Sequence, residues 1–334
     1  MSWVILIVLM MVLLVSTGYL LKAIDLKAPI ISQRSSHASP AYISGGYFFM
    51  LILILTNFLF TSNNEIQLII FGAIGFGIIG ILDDVIEIHF RWKLIFQILF
   101  TLIFLYQTDL YLTNLDFGFA SIFVGWGGLI ITTMAVLLVV NAFNYFDGLD
   151  GLYLFMFLCM IVIQQGILQW GEYNQLYLAL ALMSGIFLLG NFGIFGLPKQ
   201  FLGDGGNYIL SFLISMLYLK GNQSLTLSSD LNGHLFGLWF FGLLFYEFIA
   251  VSFIRLKQNK SIFLPGKDHL HHLINQKLNH HLTSSLITAG IYVLIALIGY
   301  LITLYFVNLS FLIYLVLFFA YVLERSVLHK KLNA

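Results

Sequence analysis

The sequence predicts an all-α protein that crosses a membrane many times. Of its 334 residues, 60% are hydrophobic and only 9% are charged, and the mean hydropathy is +0.97. These values exclude an ordinary soluble domain with a wetted surface. The apolar runs are uninterrupted, whereas a membrane β-barrel strand alternates apolar and polar residues over roughly ten positions, so we expect helical spans.

Windows of about twenty apolar residues predict about eleven spans within a single integral membrane domain, residues 1–334. The first window is as long as a full span and no basic residue precedes it, so we expect a retained helix rather than a signal peptide. The predicted spans are 2–21, 42–61, 66–82, 91–107, 120–142, 152–168, 175–195, 206–220, 235–254, 284–306 and 309–325.

The basic residues are distributed unevenly between the loops. Fourteen of the fifteen Lys and Arg residues lie on the side reached after odd-numbered spans, and only Lys220 follows an even-numbered span. Because basic loops stay on the cytoplasmic side, this pattern predicts a periplasmic N-terminus and a cytoplasmic C-terminus. The cytoplasmic loops expected to carry the chemistry lie near 22–41, 83–93, 141–151, 196–207 and 255–283.

Two adjacent carboxylates, Asp83 and Asp84, end the third span, and Arg91 and Lys93 open the fourth. Adjacent carboxylates repel each other unless a cation lies between them. One or two carboxylates together with substrate phosphates are the usual ligands of Mg²⁺, so the pair indicates a catalytic or metal-binding site. A solvated turn is the alternative for this pair taken alone.

Amide and carboxylate groups share one side of the fifth span where it ends. Asn141, Asn144 and Asp147 are spaced by three residues, which places them on one face of a helix, and Asp150 follows after a glycine. Polar groups at the boundary of a bilayer are energetically costly, so the run indicates function. A helix cap with a glycine stop would explain one aspartate but not the whole run.

A glycine-rich segment joins the seventh and eighth spans, with Gly203, Gly205 and Gly206 around Asp204. Glycine lets the backbone approach a ligand closely, and amide groups that begin a helix can donate to phosphate oxygens. Asp204 can supply a further metal ligand. Taken alone, the segment could also be an ordinary turn.

The largest predicted cytoplasmic loop carries a cluster of histidines. His269, His271 and His272 are close enough in sequence to share one site. Histidine can donate to a diphosphate, ligate a metal or exchange a proton near neutral pH. For His280 and His281 the sequence indicates no particular partner, and we expect a solvated or interfacial role.

Two further segments offer basic groups to an anionic substrate. Lys267 precedes the histidine cluster in a basic loop that would attract anions. Arg34 and His37 lie between the first two spans, and arginine is suited to bidentate contacts with phosphate. The alternative for both segments is a basic anchor at the membrane surface.

These motifs, in this order and on one side of the membrane, resemble those of the polyprenyl-phosphate N-acetylhexosamine-1-phosphate transferase family. The resemblance covers nearly the whole chain. It implies transfer of a sugar-1-phosphate from a UDP-N-acetylhexosamine to undecaprenyl phosphate, with UMP release and Mg²⁺ or Mn²⁺ as cofactor. It also implies a site on the cytoplasmic face of a bacterial inner membrane, at the first membrane step of a surface polysaccharide such as the O-antigen of lipopolysaccharide.

The segment 34–37 is similar to a subgroup that uses 6-deoxy-N-acetylhexosamines. Two departures from the family pattern concern the pocket: Asn207 replaces a small hydroxyl residue near the expected phosphate site, and four residues separate Pro40 from Gly45. Whether the acceptor attacks directly or a covalent aspartyl intermediate forms stays open.

The resemblance implies three sets of site residues, and Asp84 and Asp147 belong both to the metal ligands and to the catalytic residues. The metal ligands are Asp204, Asp147 and Asp84. The catalytic residues are Asp83, Asp84, Asp147, Asp150, His269, His271 and His272. The substrate-binding residues are Arg34, His37, Arg91, Lys93, Asn141, Asn144, Gly203, Gly205, Gly206 and Lys267.

Two other functions are alternatives. An intramembrane aspartyl protease would use Asp147 and Asp204 as a pair, but these aspartates lie at span ends and a Pro-Ala-Leu partner motif is lacking. An ion or metal transporter would need acids near the midplane, where Glu247 is the candidate, and often a repeated half. The expected partners are the donor, the lipid acceptor and the bilayer, with no nucleic acid, and a homodimer is left open.

Overall fold

The structure is a computed structural model that describes residues 2–23, 41–60, 63–168, 173–228, 231–261, 266 and 268–332. Within these ranges the chain forms thirteen α-helices and four short strands. The helices are α1 Ser2–Ala23, α2 Gly45–Phe60, α3 Asn64–Ile86, α4 Phe90–Thr108, α5 Gly127–Phe146, α6 Leu152–Leu168, α7 Asn174–Asn191, α8 Gly203–Ser228, α9 Gly233–Phe240, α10 Gly242–Lys257, α11 Leu270–Leu278, α12 His281–Tyr305 and α13 Val307–Leu332. The strands are β1 Tyr42–Ile43, β2 Asn114–Asp116, β3 Ser121–Phe123 and β4 Gln200–Phe201.

The helices confirm a multi-pass helical membrane protein. In the described part of the chain, seven helices are long and apolar enough to cross a membrane: α1, α3, α4, α5, α7, α12 and α13. The pair α9–α10 makes an eighth if its two halves form one span, and α2 and most of α6 are shorter apolar helices. Every predicted span coincides with a helix or a helix pair, while the count of eleven stays a prediction.

Several predicted boundaries are wrong. The ninth span is not straight, because α9 and α10 meet at an angle of 57°. The fifth begins at Gly127 rather than 120, since the preceding residues pair as a β2–β3 hairpin. Helix α8 begins at Gly203, so Asp204 lies in its first turn and not in a linking loop. Such hairpins and turns satisfy backbone groups that a lipid boundary leaves without partners.

Close packing of α3 against α8 positions the candidate site. A Cβ atom at Gly80 would overlap the carbonyl group of Asp204, and one at Gly77 would overlap Ile209. Small residues allow helix backbones to approach in this way. Deeper in the bundle, the rings of Phe76 and Phe212 stack at 4.9 Å between centroids. The end of α3 is thereby held beside the start of α8.

The loops on each side of the bundle are consistent with alternating spans. At the end opposite the candidate site, Lys220 Nζ lies 2.8 Å from Glu65 Oε2, and Gln223 donates to the carbonyl of Asp109 at 3.1 Å. The described parts of the segments that the basic residues assign to one side lie together at the other end, where β1 pairs in parallel with β4. Which end faces the cytoplasm stays a prediction.

Candidate active site

Four polar side chains from four different helices meet where α3 ends. Lys93 Nζ on α4 lies 2.6 Å from Asp83 Oδ2 and also donates to Asp204 Oδ2. Asn144 Nδ2 on α5 donates to Asp204 Oδ1 at 2.8 Å. All three charged side chains are mostly buried. A cation therefore lies between two of the predicted carboxylates, and in this structure the cation is a lysine.

Asp84 has a different role from its neighbour. Its two carboxylate oxygens accept the backbone N–H groups of Asp204 and Gly205, each at 2.9 Å. A carboxylate at the start of a helix satisfies free donors and interacts favourably with the helix dipole. The amide of Gly205, one of the three glycines predicted to bind substrate, is thus bonded to Asp84 together with the amide of Asp204, and Asp84 fixes the first turn of α8.

The three glycines of this segment serve the close packing. Gly203 has a φ of +68°, and a Cβ there would lie 2.6 Å from Asp84 Oδ2. A Cβ at Gly205 would lie 3.1 Å from Gly46 Cα. A Cβ at Gly206 would lie 2.6 Å from the Leu202 side chain, so a larger residue at any of these positions would displace the start of α8.

The loop after α5, residues 147–151 and here called the aspartate loop, is held by contacts from both sides. Lys199 Nζ lies 2.7 Å from Asp150 Oδ2, and His281 Nδ1 lies 3.2 Å from the same oxygen. Ser285 donates to the Asp150 carbonyl at 2.8 Å. His281, for which the sequence indicated no partner, thus acquires one in Asp150, because packing of α12 brings this ring onto the loop.

His280, by contrast, caps the start of α12. Its Nδ1 accepts from the backbone N–H of Thr283 at 3.3 Å, and it also lies 2.9 Å from the Thr283 hydroxyl. A capping ring stabilises a helix end locally. The residue therefore makes a structural contact and does not reach the aspartate loop.

The histidine cluster packs directly against the aspartate loop. The rings of His271 and His272 would come within 2.9 Å of a Cβ at Gly148, and His269 stacks on Tyr145 at 5.0 Å between centroids. Full burial, together with the charges of the neighbouring histidines, lowers the pKa of His271 well below its usual range. His271 is consequently a neutral ring at physiological pH.

A cavity of about 1330 Å³ is lined by residues of α3, α4, α5, the aspartate loop and the start of α8, whereas the three clustered histidines do not line it. Its polar end is formed by side chains and backbone of Asp83, Asp84, Lys93, Asn141, Asn144, Asp147, Asp150, Gly203 and Asp204. From there it continues between α4 and α5 along the mostly apolar residues Leu94, Gln97, Ile98, Leu102, Ile130, Thr133, Met134, Leu137 and Leu138. The cavity is thus charged at one end and apolar along its length.

Gln97 is a polar group in the apolar part of this cavity, one helical turn beyond Lys93. Its side chain is fully buried, and its Oε1 accepts from Asn141 at 3.3 Å. Its Nε2 has no hydrogen-bond partner among the residues that the structure describes. A buried amide donor without a partner costs free energy, so Gln97 is a candidate contact for a bound ligand or water.

Some predicted site residues lie elsewhere. Arg91 is exposed, with its guanidinium 5.8 Å from the centre of the Phe90 ring, and does not line the cavity. Asn207 is 1% exposed and lies beneath the site rather than on its surface. Arg34, His37 and Lys267 fall outside the described residues.

Sequence reasoning did not assign three groups that hold the site together. Lys199 pairs with Asp150, while Glu247 and Arg325, on α10 and α13, form a buried pair next to the histidines. These residues could have been noticed in the sequence because they are ionisable, and ionisable side chains in or beside membrane spans are rare and mark functional regions. Nothing in the sequence named their partners.

The predicted metal ligands are only partly free to bind a metal. Among the residues with described positions, no three His, Cys, Asp or Glu side chains are grouped to hold a metal ion by themselves. Asp204 accepts from Lys93 and Asn144, and Asp84 holds the start of α8. Mg²⁺ commonly binds through one or two carboxylates and takes its remaining ligands from water and substrate phosphates. The carboxylates fit such a site when a phosphate is present.

Comparison with known proteins gives consistent matches. A family model described as glycosyl transferase family 4 matches residues 66–222. An undecaprenyl-phosphate α-N-acetylglucosaminyl 1-phosphate transferase from Escherichia coli (strain K12) is 30% identical over 203 residues, which is 59% of this chain and 54% of that protein. Its namesake from Yersinia pestis is 31% identical over 208 residues, with the same coverage.

A protein of the same name from Haemophilus influenzae is 30% identical over 263 residues, which is 73% of this chain and 70% of that protein. The chain spans about half the length of the Escherichia coli and Yersinia relatives that it matches. The longer Haemophilus alignment extends this similarity over most of both chains.

Proposed function

Since this chain belongs to glycosyl transferase family 4, the polyprenyl-phosphate N-acetylhexosamine-1-phosphate transferases, we propose that it is a transferase acting on undecaprenyl phosphate. The donor is a UDP-N-acetylhexosamine, the group transferred is its sugar-1-phosphate, and UMP is released. The names of the relatives support the acceptor and the kind of group transferred.

One observation carries this proposal: charged residues of several segments converge at one end of a cavity whose remainder is apolar. A ligand with a phosphate head and a long hydrocarbon tail matches both parts. Lys93 and Asn144 offer donors to phosphate oxygens at the polar end, and Gln97 offers one more a turn further in. The residues of α4 and α5 beyond them would accommodate the first isoprene units.

In the proposed reaction, a phosphate oxygen of the acceptor forms a bond with the sugar-side phosphorus of the donor. The bond from this phosphorus to the bridging oxygen breaks, and UMP leaves with that oxygen. The acceptor is ionised near neutral pH, so the step needs alignment and charge neutralisation more than a base. Direct attack is favoured because both Asp83 oxygens are engaged, by Lys93 and by the Ile88 N–H, which makes Asp83 a poor nucleophile.

Mg²⁺, or Mn²⁺ in its place, is the proposed cofactor. Asp204 and Asp147 would hold it together with phosphate oxygens of the substrates, and when bound it would neutralise charge on those phosphates. The ammonium group of Lys93, which lies between Asp83 and Asp204, supports a preference of Asp204 for a cation. We assign Asp84 to holding the start of α8 rather than to the metal.

The histidines are assigned to the donor side. They pack on the loop that carries Asp147 and Asp150, so a diphosphate above this loop would lie next to them. His271 is neutral, which lets it accept or donate a hydrogen bond without repelling a metal ion. The buried rings of His272 and His269 pack against His271.

The site is proposed to open at the cytoplasmic face of a bacterial inner membrane, where UDP-sugars are made. The excess of basic residues on that side supports this orientation. A cysteine introduced at Asp116 should react with an impermeant maleimide in intact cells, and one at Gln258 should react only after lysis. The reverse pattern would place the site outside.

The protease and transporter alternatives have no support from the family or its relatives. Asp204 is paired with Lys93 and Asn144, whereas a protease dyad requires two aspartates that share a proton. Glu247 is paired with Arg325 and lies outside the cavity lining, which does not suit an ion path.

Purified protein in nanodiscs tests the function directly. UMP release from UDP-N-acetylglucosamine should require both undecaprenyl phosphate and Mg²⁺, and should be abolished in Asp204→Asn. Glu65→Gln, at the opposite end of the bundle, is the matched control and should retain activity. A panel that adds 6-deoxy donors then identifies the sugar, and absence of UMP release with every donor would refute the proposal.

A further inference from the structure

A buried ion pair joins α10 to the last helix. Glu247 is 0% exposed and Arg325 is 2% exposed. Arg325 donates to Glu247 through Nη2 at 3.0 Å and through Nε at 3.2 Å, and Tyr321 donates its hydroxyl to the same carboxylate. Burying two charges costs desolvation energy that an apolar pair would avoid, so stability alone is a weak explanation for the pair.

The same two side chains hold the backbone on either side of His269. Glu247 Oε1 accepts the N–H of Leu270, the first residue of α11, at 2.6 Å. Arg325 Nη2 donates to the carbonyl of Asp268 at 2.5 Å. His269 itself has its Nδ1 3.6 Å from Glu247 Oε1. The histidine segment therefore contacts the pair at three successive residues, through hydrogen bonds at Asp268 and Leu270 and a longer contact at His269.

A second arginine secures the segment from another direction. Arg255 forms two hydrogen bonds with the Asp268 carboxylate, at 2.8 and 2.6 Å. Although burial opposes ionisation, this pairing lowers the pKa of Asp268 to about 2, so the contact persists across the physiological range. Held in this way, α11 presents His271 to Gly148 in the aspartate loop.

We propose that Glu247 and Arg325 are positioning residues, which hold His269 and His271 against the loop of Asp147 and Asp150. The C-terminal helix α13 thereby becomes part of the active-site framework, although it contributes no residue to the cavity. The catalytic consequence rests on the proposed function, whereas the positioning itself can be measured without turnover.

Protection of His271 from diethyl pyrocarbonate measures positioning directly. Full-length protein in nanodiscs is labelled, and the peptide that carries His271 is quantified by mass spectrometry, with the exposed His89 as internal reference. Arg325→Lys keeps the buried charge but cannot reach Glu247 and Asp268 at once. The double variant Glu247→Met/Arg325→Met removes both charges together and so leaves neither one unpaired.

In both variants, diethyl pyrocarbonate should modify His271 at least about tenfold faster than in wild type, while the modification rate of His89 is unchanged. The kcat should fall about 10- to 100-fold with a smaller change in the donor KM. The control pair Glu65→Met/Lys220→Met, at the other end, should alter neither quantity. A double variant that folds, keeps His271 protected and retains kcat would overturn the proposal. If wild-type protein is inactive but the protection of His271 still depends on Glu247 and Arg325, the proposed function is refuted and the positioning role is retained.

Discussion

Whether Asp84 binds the metal or holds the start of α8 can be tested with one substitution. In the structure its two oxygens accept the N–H groups of Asp204 and Gly205, both at 2.9 Å. Asp84→Asn keeps the shape of the side chain, but one oxygen becomes an NH₂ group that faces an N–H donor. The variant therefore retains one of the two hydrogen bonds and loses the negative charge at the helix start.

The magnitude follows from these contacts. A hydrogen bond to a charged group contributes about 1.5–3 kcal/mol, and a carboxylate at a helix N-terminus a further 0.3–1 kcal/mol or so. The sum is roughly 2–4 kcal/mol, which corresponds to about 30- to 1,000-fold in rate if all of it is lost from the transition state. This is an upper limit, because the helix start can relax.

The measurement is kcat together with the Mg²⁺ concentration that gives half-maximal activity. If Asp84 acts through α8, Asp84→Asn lowers kcat within that limit and leaves the Mg²⁺ requirement within about twofold of wild type. Asp204→Asn serves as the comparison, with loss of activity at every Mg²⁺ concentration. A tenfold or larger rise in the Mg²⁺ requirement of Asp84→Asn would show that Asp84 ligates the metal, and the assignment to α8 would be wrong.

Three further predictions follow from the site. Lys93→Met leaves Asp83 and Asp204 facing each other without a cation, and kcat/KM should fall about 100-fold or more. Arg91 is exposed, so the control Arg91→Met should not show this fall in kcat/KM. Gln97→Leu removes the unpartnered amide and should raise the acceptor KM about tenfold with the donor KM unchanged. An acceptor KM equal to that of wild type would show that Gln97 does not contact the acceptor. His271 has a lowered pKa, so below about pH 6.5 this histidine binds a proton in the unfolded chain but not in the folded protein, and acid therefore destabilises the fold. The Tm difference between wild type and His271→Gln should shrink from pH 7.5 to pH 5.5. A Tm difference that grows over this range would contradict a neutral buried ring.

The helical spans and the main aspartates of the site could be predicted from sequence for a simple physical reason. Spans alternate in direction, so segments that follow odd-numbered spans must share one end of the bundle. Asp83, Asn144 and Asp204 were grouped on this argument together with their spacing. The structure places them within one set of hydrogen bonds around Lys93.

The remaining contacts depend on packing between residues that are far apart in the chain. Asp84 bonds an amide 120 positions away, and His281 reaches Asp150 across 131 positions. Such contacts depend on which helices are neighbours and on how far along the bundle axis they meet. The pattern of apolar residues in the sequence indicates neither. The alternation of spans therefore predicts that the histidines and the aspartates share one end of the bundle, but it does not identify Arg325 as the residue that supports the histidines.

The central claim is that a phosphate moves together with the sugar, and a donor labelled in its sugar-side phosphate tests it most directly. Purified protein is incubated with [β-³²P]UDP-N-acetylglucosamine, or with the donor that the panel selects, and with undecaprenyl phosphate and Mg²⁺. The products are partitioned between butanol and water. The account predicts label in the lipid phase, a lipid-linked product with the mass of a sugar-1-phosphate adduct, and unlabelled UMP in the water. Label that remains in aqueous UDP while the lipid gains only a sugar would contradict it.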